Sequence, residues 1–100
     1  MKLTAVEFHI MLSLRGGARH GYRIMQDVKA RADVRIGPGT LYTAIKRLLR
    51  AKLIEELESD DERRRLYRIT RLGNTVAADY ARQLSLLVGI ARRAGLLQGI

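Results

Sequence analysis

Between Val34 and Ile54 the chain carries five cations, Arg35, Lys46, Arg47, Arg50 and Lys52, and no Asp or Glu. Directly after this stretch, Glu55, Glu56, Glu58, Asp60, Asp61 and Glu62 hold six of the ten acids of the chain, and the next six residues supply Arg63, Arg64, Arg65 and Arg68. Guanidinium and ammonium groups grouped in this way pair with phosphate oxygens, and Thr or Tyr hydroxyls between them add hydrogen bonds to phosphates or base edges. Two readings of the acid-then-base run stay open. The two flanks can pair their charges across a strand ladder, or the three adjacent arginines can reach a phosphate backbone while the acids orient them.

The other chemistries find few residues. The two histidines are His9, within a largely apolar stretch, and His20, at a helix start. Neither belongs to a Ser-His-Asp or paired-carboxylate arrangement, so no catalytic residue and no enzyme activity is expected. Asp60, Asp61 and Glu62 lack the spacing of a calcium loop. With no cysteine there is no disulfide, no thiolate zinc site and no thiol switch. No metal and no cofactor is expected.

A chain of 100 residues and 11.3 kDa is the size of one domain. Its net charge of +9 and pI near 10.8 favour a polyanionic partner, either nucleic acid or an anionic membrane. No apolar run approaches the roughly 20 residues that span a bilayer. The N-terminal segment is broken by Glu7 and His9 and makes a poor signal peptide, so a cytoplasmic location is expected.

The elements that must position these cations follow from the spacing of apolar residues. Thr4 can cap a helix over residues 4–15, where Val6, Ile10 and Leu14 recur, and Gly16 and Gly17 end it. A second helix runs from His20 or Gly21 to about Asp33, with Tyr22, Met25, Val28 and Ala32 along one side and Ile24 close by. The third opens with Gly37 as cap and Pro38 as first residue, where proline's missing N–H costs nothing. Leu41, Ile45, Leu48 and Leu49 form its apolar stripe, and Thr40, Thr43, Lys46, Arg47 and Arg50 fall on the other side.

Only about four residues join helices two and three, which is helix-turn-helix spacing. The periodicity then changes to that of a hairpin, with strands near 53–58 and 65–69 and an acidic tip between them. Thr70 caps a last helix from 71 to the mid-nineties. Val76, Tyr80, Leu84, Leu87, Val88 and Ala91 make a seam along it. The expected fold is mainly α with a small β-hairpin: a winged helix-turn-helix over residues 1–70 and a C-terminal dimerisation helix over 71–100, in one compact unit.

Such a pair of basic elements can straddle a groove of double-stranded DNA. The major groove, about 12 Å wide, admits one helix, whose N-terminal residues meet base edges first. Those are Thr40, Tyr42 and Thr43. Lys46, one turn on, can reach a guanine edge or a phosphate, while Arg47 and Arg50 are better placed for the backbone.

The segments HGYRIMQDV, GPGTLYTAIKRLLRAKLIE and DERRRLYRITRLG stand in an order and spacing that resembles the PadR family of winged-helix transcriptional regulators. The similarity covers roughly residues 3–85. It implies a winged helix-turn-helix with a C-terminal dimerisation helix, usually repressing transcription from a pseudo-palindromic operator. On the same resemblance Thr40, Leu41 and Tyr42 begin the recognition helix, Arg63, Arg64 and Arg65 sit in the wing, and Tyr22 lies near the DNA backbone. Position 43 departs from the pattern, with Thr where many relatives have Pro. The end of the chain soon after one C-terminal helix resembles the short branch of the family.

Two half-sites about one helical turn apart, read by a two-fold dimer, are the usual source of specificity for such a domain. The surface expected to form that homodimer is the seam from Val76 and Tyr80 to Ala91. The alternative is that the seam folds back on its own domain. Family members often respond to small aromatic or lipophilic molecules near the dimer interface, so the resemblance also implies a small-molecule effector. The rival function is a winged helix that binds an acidic protein instead of DNA. RNA is disfavoured because the A-form major groove is too narrow for a helix. A membrane surface is disfavoured because the polar side of residues 71–97 is not basic enough.

Overall fold

The computed structural model describes residues 2–59 and 64–98, and its elements run α1 (Ala5–Leu14), β1 (Arg19–His20), α2 (Gly21–Ala32), α3 (Pro38–Arg50), β2 (Ile54–Leu57), β3 (Leu66–Ile69) and α4 (Arg71–Arg93). It is the mainly helical winged-helix architecture expected, with one strand more than the hairpin.

α1 is the hub. Its ends are set locally: Thr4 Oγ1 accepts the Glu7 N–H at 3.1 Å, and Glu7 Oε1 accepts the Thr4 N–H at 2.8 Å, a reciprocal capping box. At the other end Gly17, at φ 133°, takes a backbone conformation closed to residues with a side chain. Ile10, Met11 and Leu14 are fully buried against Ile24 and Val28 of α2, Leu41, Ile45 and Leu48 of α3, Leu53 of the turn after α3, and Ile54 and Tyr67 of the sheet. Burying side chains of this size stabilises by about 1.5–3 kcal/mol each, which is how so small a chain holds one core.

α2 departs from its expected stripe. The buried line is Gly21, Ile24 and Val28, while Tyr22 and Ala32 are exposed and Met25 is half-buried. The cause is the close approach of α3: a Cβ at Gly21 would stand 2.8 Å from the Tyr42 hydroxyl, so the helix turns its smallest residue to its neighbour and its tyrosine to solvent. α2 ends at Asp33, which adopts the left-handed conformation at φ 55° and is ion-paired to Lys29 one turn back.

α3 begins as its sequence dictates, with Gly37 as cap and Pro38 in the first turn. Leu41, Ile45 and Leu48 are buried as expected, Ala44 joins them, and Leu49 is only half-buried.

The sheet has the order β1-β3-β2, antiparallel throughout. β2 and β3 form the expected hairpin, with Glu55 opposite Arg68 and Glu56 opposite Tyr67. β1 is new: Arg19 pairs with Tyr67 and His20 with Leu66. Two residues carry no readable alternation, so only the tertiary pairing makes them a strand.

The first half of α4 packs against α1, with Gly73 and Ala77 buried and the Tyr80 ring 4.5 Å from that of Phe8. Beyond Ala81 the helix runs out past the core, which gives the molecule extents of 51 × 26 × 22 Å.

Candidate nucleic-acid interface

The face of α3 opposite its buried stripe is a line of four residues, Gly39, Thr43, Lys46 and Arg50, spaced four, three and four apart and all exposed. Lys46 and Arg50 have no ion pair among the described residues. Their charges are therefore available to a polyanion.

The two flanks of this line differ. On one side Thr40, Thr43 and Arg47 line an open cleft of about 620 Å³ between α3 and the N-terminus of α1, together with Thr4, Glu7 and Gly39. Arg47 is not free there, because its Nη1 lies 3.5 Å from Oε2 of Glu7. On the other side the Tyr42 ring lies over Gly21 and turns toward α2. The three residues expected to meet base edges thus divide: Thr40 and Thr43 border the cleft on the α1 side, Thr43 also lying on the outward line, while Tyr42 leans toward α2.

Tyr42 also forms the rim of a second depression, about 330 Å³, with His20, Gly21, Tyr22, Arg64 and Arg65. Its floor is the N-terminus of α2. His20 makes no side-chain capping bond there, so the first amides of the helix stay open and carry the positive end of its dipole. His20 Nδ1 lies 3.1 Å from the Arg65 carbonyl oxygen, which ties the wing to this corner. Two hydroxyls, the Arg64 guanidinium and open helix amides around one hollow suit a phosphate, with the Arg65 guanidinium at the rim held by Glu56.

The charged hairpin bears out the pairing of its two flanks for two of its arginines and leaves a third exposed. Arg68 Nε donates to Glu55 Oε1 at 3.0 Å and Arg65 Nη1 to Glu56 Oε1 at 3.3 Å, so the ladder does pair its charges across strands. Arg64 has no ion pair among the described residues and remains exposed. Arg63 and the acidic tip Asp60, Asp61 and Glu62 lie outside the described residues. Beneath the wing, burial raises the pKa of the Tyr67 hydroxyl above its ordinary value, with Glu56 and Tyr42 adding to the effect and Arg65 opposing it.

The position of α3 relative to the wing is fixed by the start of α4. Thr70 Oγ1 donates to the carbonyl oxygens of Lys52 and Leu53 at 2.8 and 3.1 Å, and accepts the Gly73 N–H at 3.0 Å. The Thr70 N–H also donates to Leu53 O at 3.0 Å. Lys52, at φ 62°, makes the tight turn that brings these carbonyls into reach.

The seam expected to bind a second copy divides as well. Val76 and Tyr80 are half-buried against the chain's own core, whereas Leu84, Leu87 and Val88 are exposed and Ala91 is half-buried. Leu86, at 63% exposure, and Ile90, at 48%, widen the outer apolar surface beyond the spacing read from the sequence.

Glu7, Gly21 and His20 were not expected at the site. Thr4 and Glu7 carry the capping-box spacing T-x-x-E, a signal that does mark Glu7; the contact of Gly21 with Tyr42 has no sequence signal. Among the described residues there is no cluster of three or more His, Cys, Asp or Glu that could hold a metal ion, and no helix is long and apolar enough to cross a membrane.

The profile of the "Transcriptional regulator PadR-like family" matches residues 10–79. The chain is similar to the solved structure of a transcriptional regulator from Clostridium thermocellum, at TM-score 0.81 and 24% identity, covering 92% of this chain and 97% of that one. A PadR family transcription regulator from Clostridium difficile superposes equally well, at TM-score 0.81 and 21% identity over 90% of this chain and 97% of the other. A protein of 37.1 kDa in transposon Tn4556 of Streptomyces fradiae is 29% identical over 89 residues. That match takes in 89% of this chain, which spans about a quarter (26%) of the relative's length. The profile match spans both basic elements and the first turns of α4 that fix them to each other, and the chain belongs to the PadR-like family of transcriptional regulators.

Proposed function

We propose that the chain acts in the cytoplasm as a homodimeric, sequence-specific repressor at a pseudo-palindromic operator. In this function α3 enters the major groove, with Thr43 and Lys46 at base edges and Arg50 toward the backbone. The depression at Tyr22, Tyr42, Arg64 and Arg65 takes a flanking phosphate, and Arg63 is a further DNA-binding cation by the family resemblance. Thr40 and Arg47 line the α1 side of the groove-facing helix.

The observation that carries the proposal is the outward line Gly39, Thr43, Lys46, Arg50. It is exposed, its cations are unpaired among the described residues, and Tyr42 of the same helix borders a hollow shared by a helix N-terminus and an arginine of the wing. Two-fold pairing is supported by the apolar surface on the outer half of α4, which one chain leaves in water. An effector of small lipophilic or aromatic character is supported by the family and by the Phe8–Tyr80 ring pair at the junction of α1 and α4, beside that surface.

A gel-shift titration against the DNA upstream of the chain's own gene, with random DNA as competitor, tests the proposal. A discrete shift that survives excess competitor is the expected result. If the dimer neutralises on the order of eight phosphates, the slope of log K against log salt is about −7. A shallow slope, or a smear abolished by competitor on every regulatory region tried, removes the operator from the proposal.

A further inference from the structure

Glu7 is the third residue of α1 and is 1% exposed. Its Oε1 is used by the Thr4 N–H, while its Oε2 is buried without a hydrogen-bond donor. Among the described residues the one cation within 4 Å of that oxygen is Arg47 of α3, at 3.5 Å. Arg47 keeps 47% of its side chain exposed, on the wall of the cleft it shares with Thr40 and Thr43.

A buried carboxylate with an unbonded oxygen is costly unless a counter-charge stays beside it. Arg47 therefore cannot swing to a phosphate without leaving an uncompensated charge under the recognition helix. Lys46 and Arg50, on the same helix, have no such tether. A guanidinium has five N–H donors in a rigid fork, so the edge facing Glu7 leaves others for a partner in the cleft, where the side chain stays exposed.

We infer that Glu7 is a positioning residue: it holds Arg47 against α1 and cancels its charge, so that Arg47 acts as a directed donor and adds little to the sequence-independent pull on phosphates. The inference rests on the DNA-binding function proposed above. An acid buried beneath a basic helix lowers affinity for any duplex and leaves discrimination to the residues that touch bases.

The test is a salt series of binding to a random-sequence duplex, followed by fluorescence anisotropy. Glu7→Gln keeps an oxygen for the Thr4 N–H and removes the charge. It is expected to tighten binding at low salt and to steepen the slope of log K against log salt by about 0.9 for each Arg47 that gains a phosphate. The same substitution made together with Arg47→Gln is expected to give the slope of Arg47→Gln alone. A packing role for Glu7 would change stability without this charge-specific signature.

A folded Glu7→Gln protein with the native slope overturns the inference. Should that variant fail to fold, Arg47→Gln and Lys46→Gln decide. Arg47→Gln is expected to lose much less of the slope than Lys46→Gln, and equal losses overturn the inference. A native chain that binds no duplex at low salt overturns both this role and the function on which it rests. Native binding with Glu7→Gln indifferent overturns the role alone.

Discussion

The first turn of α4 rests on the turn that follows α3: a Cβ placed on Gly73 would stand 2.0 Å from the carbonyl oxygen of Leu53. The partner atom is backbone, and the same carbonyl accepts from Thr70, so it cannot withdraw without breaking the junction. Gly73→Ala is expected to lower stability by about 2 kcal/mol or more, since overpacking against an immovable group costs on the order of 1–3 kcal/mol. Urea denaturation measures it. A variant as stable as the native chain would show that α4 can shift without strain.

Gly39 has the opposite environment. It lies in the first turn of α3 on the exposed line, and a Cβ there would meet nothing within 4 Å. A helical glycine gives up roughly 0.5–1 kcal/mol relative to alanine, and no contact within the chain repays that loss. The remaining reason is room for an approaching surface. Gly39→Ala is expected to raise thermal stability slightly while weakening duplex binding about tenfold, a loss of ~1.4 kcal/mol. Stability and affinity moving in the same direction would sink this explanation.

Lys46 and Arg64 separate readout from attraction. Lys46 stands in the middle of the outward line, the position proposed above to meet a base edge, and Arg64 stands on the wing beside the open α2 amides. Lys46→Ala is expected to weaken operator binding more than random-DNA binding, and Arg64→Ala to weaken both about equally. Parallel gel shifts on the two DNAs measure the ratio. Identical ratios for the two variants would defeat this division.

Tyr67 links stability to alkaline pH. Its folded-state pKa lies above the ordinary value of 10.0, mainly through burial. The folded state therefore holds this proton more tightly than the unfolded state does. Its contribution is fully present below pH 10.0 and is lost as pH rises from there through the raised folded value. Tyr67→Phe is expected to be less sensitive than the native chain to a rise in pH across that range, as followed by denaturant midpoints. Equal sensitivity of the two proteins would place the alkaline loss on other groups.

The helices were legible because their signals are local. Thr4, Gly37 with Pro38, and Thr70 mark three helix starts by capping chemistry alone, and all three stand where that chemistry puts them. The hairpin was legible from the change of period after Leu53. What stayed hidden depends on residues far apart in the chain. β1 exists only because β3 lies beside it, Glu7 matters because Arg47 reaches it from another helix, and Tyr42 turns aside because Gly21 leaves space for its ring. The division of the α4 seam was hidden for a related reason, since one apolar stripe can serve two partners and periodicity does not say where the first one ends.

That division yields the last prediction. Leu84, Leu86, Leu87, Val88 and Ile90 stand exposed on the part of α4 that runs beyond the core. Covering each of them returns up to about 1.5–3 kcal/mol, enough in sum to hold two copies together at modest concentration. Leu87 is 59% exposed, so Leu87→Glu is expected to leave the single-chain fold intact while placing a charge in the apolar surface between two copies. Sedimentation is expected to show the native chain at about twice 11.3 kDa and the variant at the single-chain mass. Binding to a two-half-site operator should fall with it, because each half-site then has to be occupied independently. A native chain that sediments as a single copy at all concentrations would remove the homodimer from the proposal, and a dimeric Leu87→Glu protein would move the interface to another face.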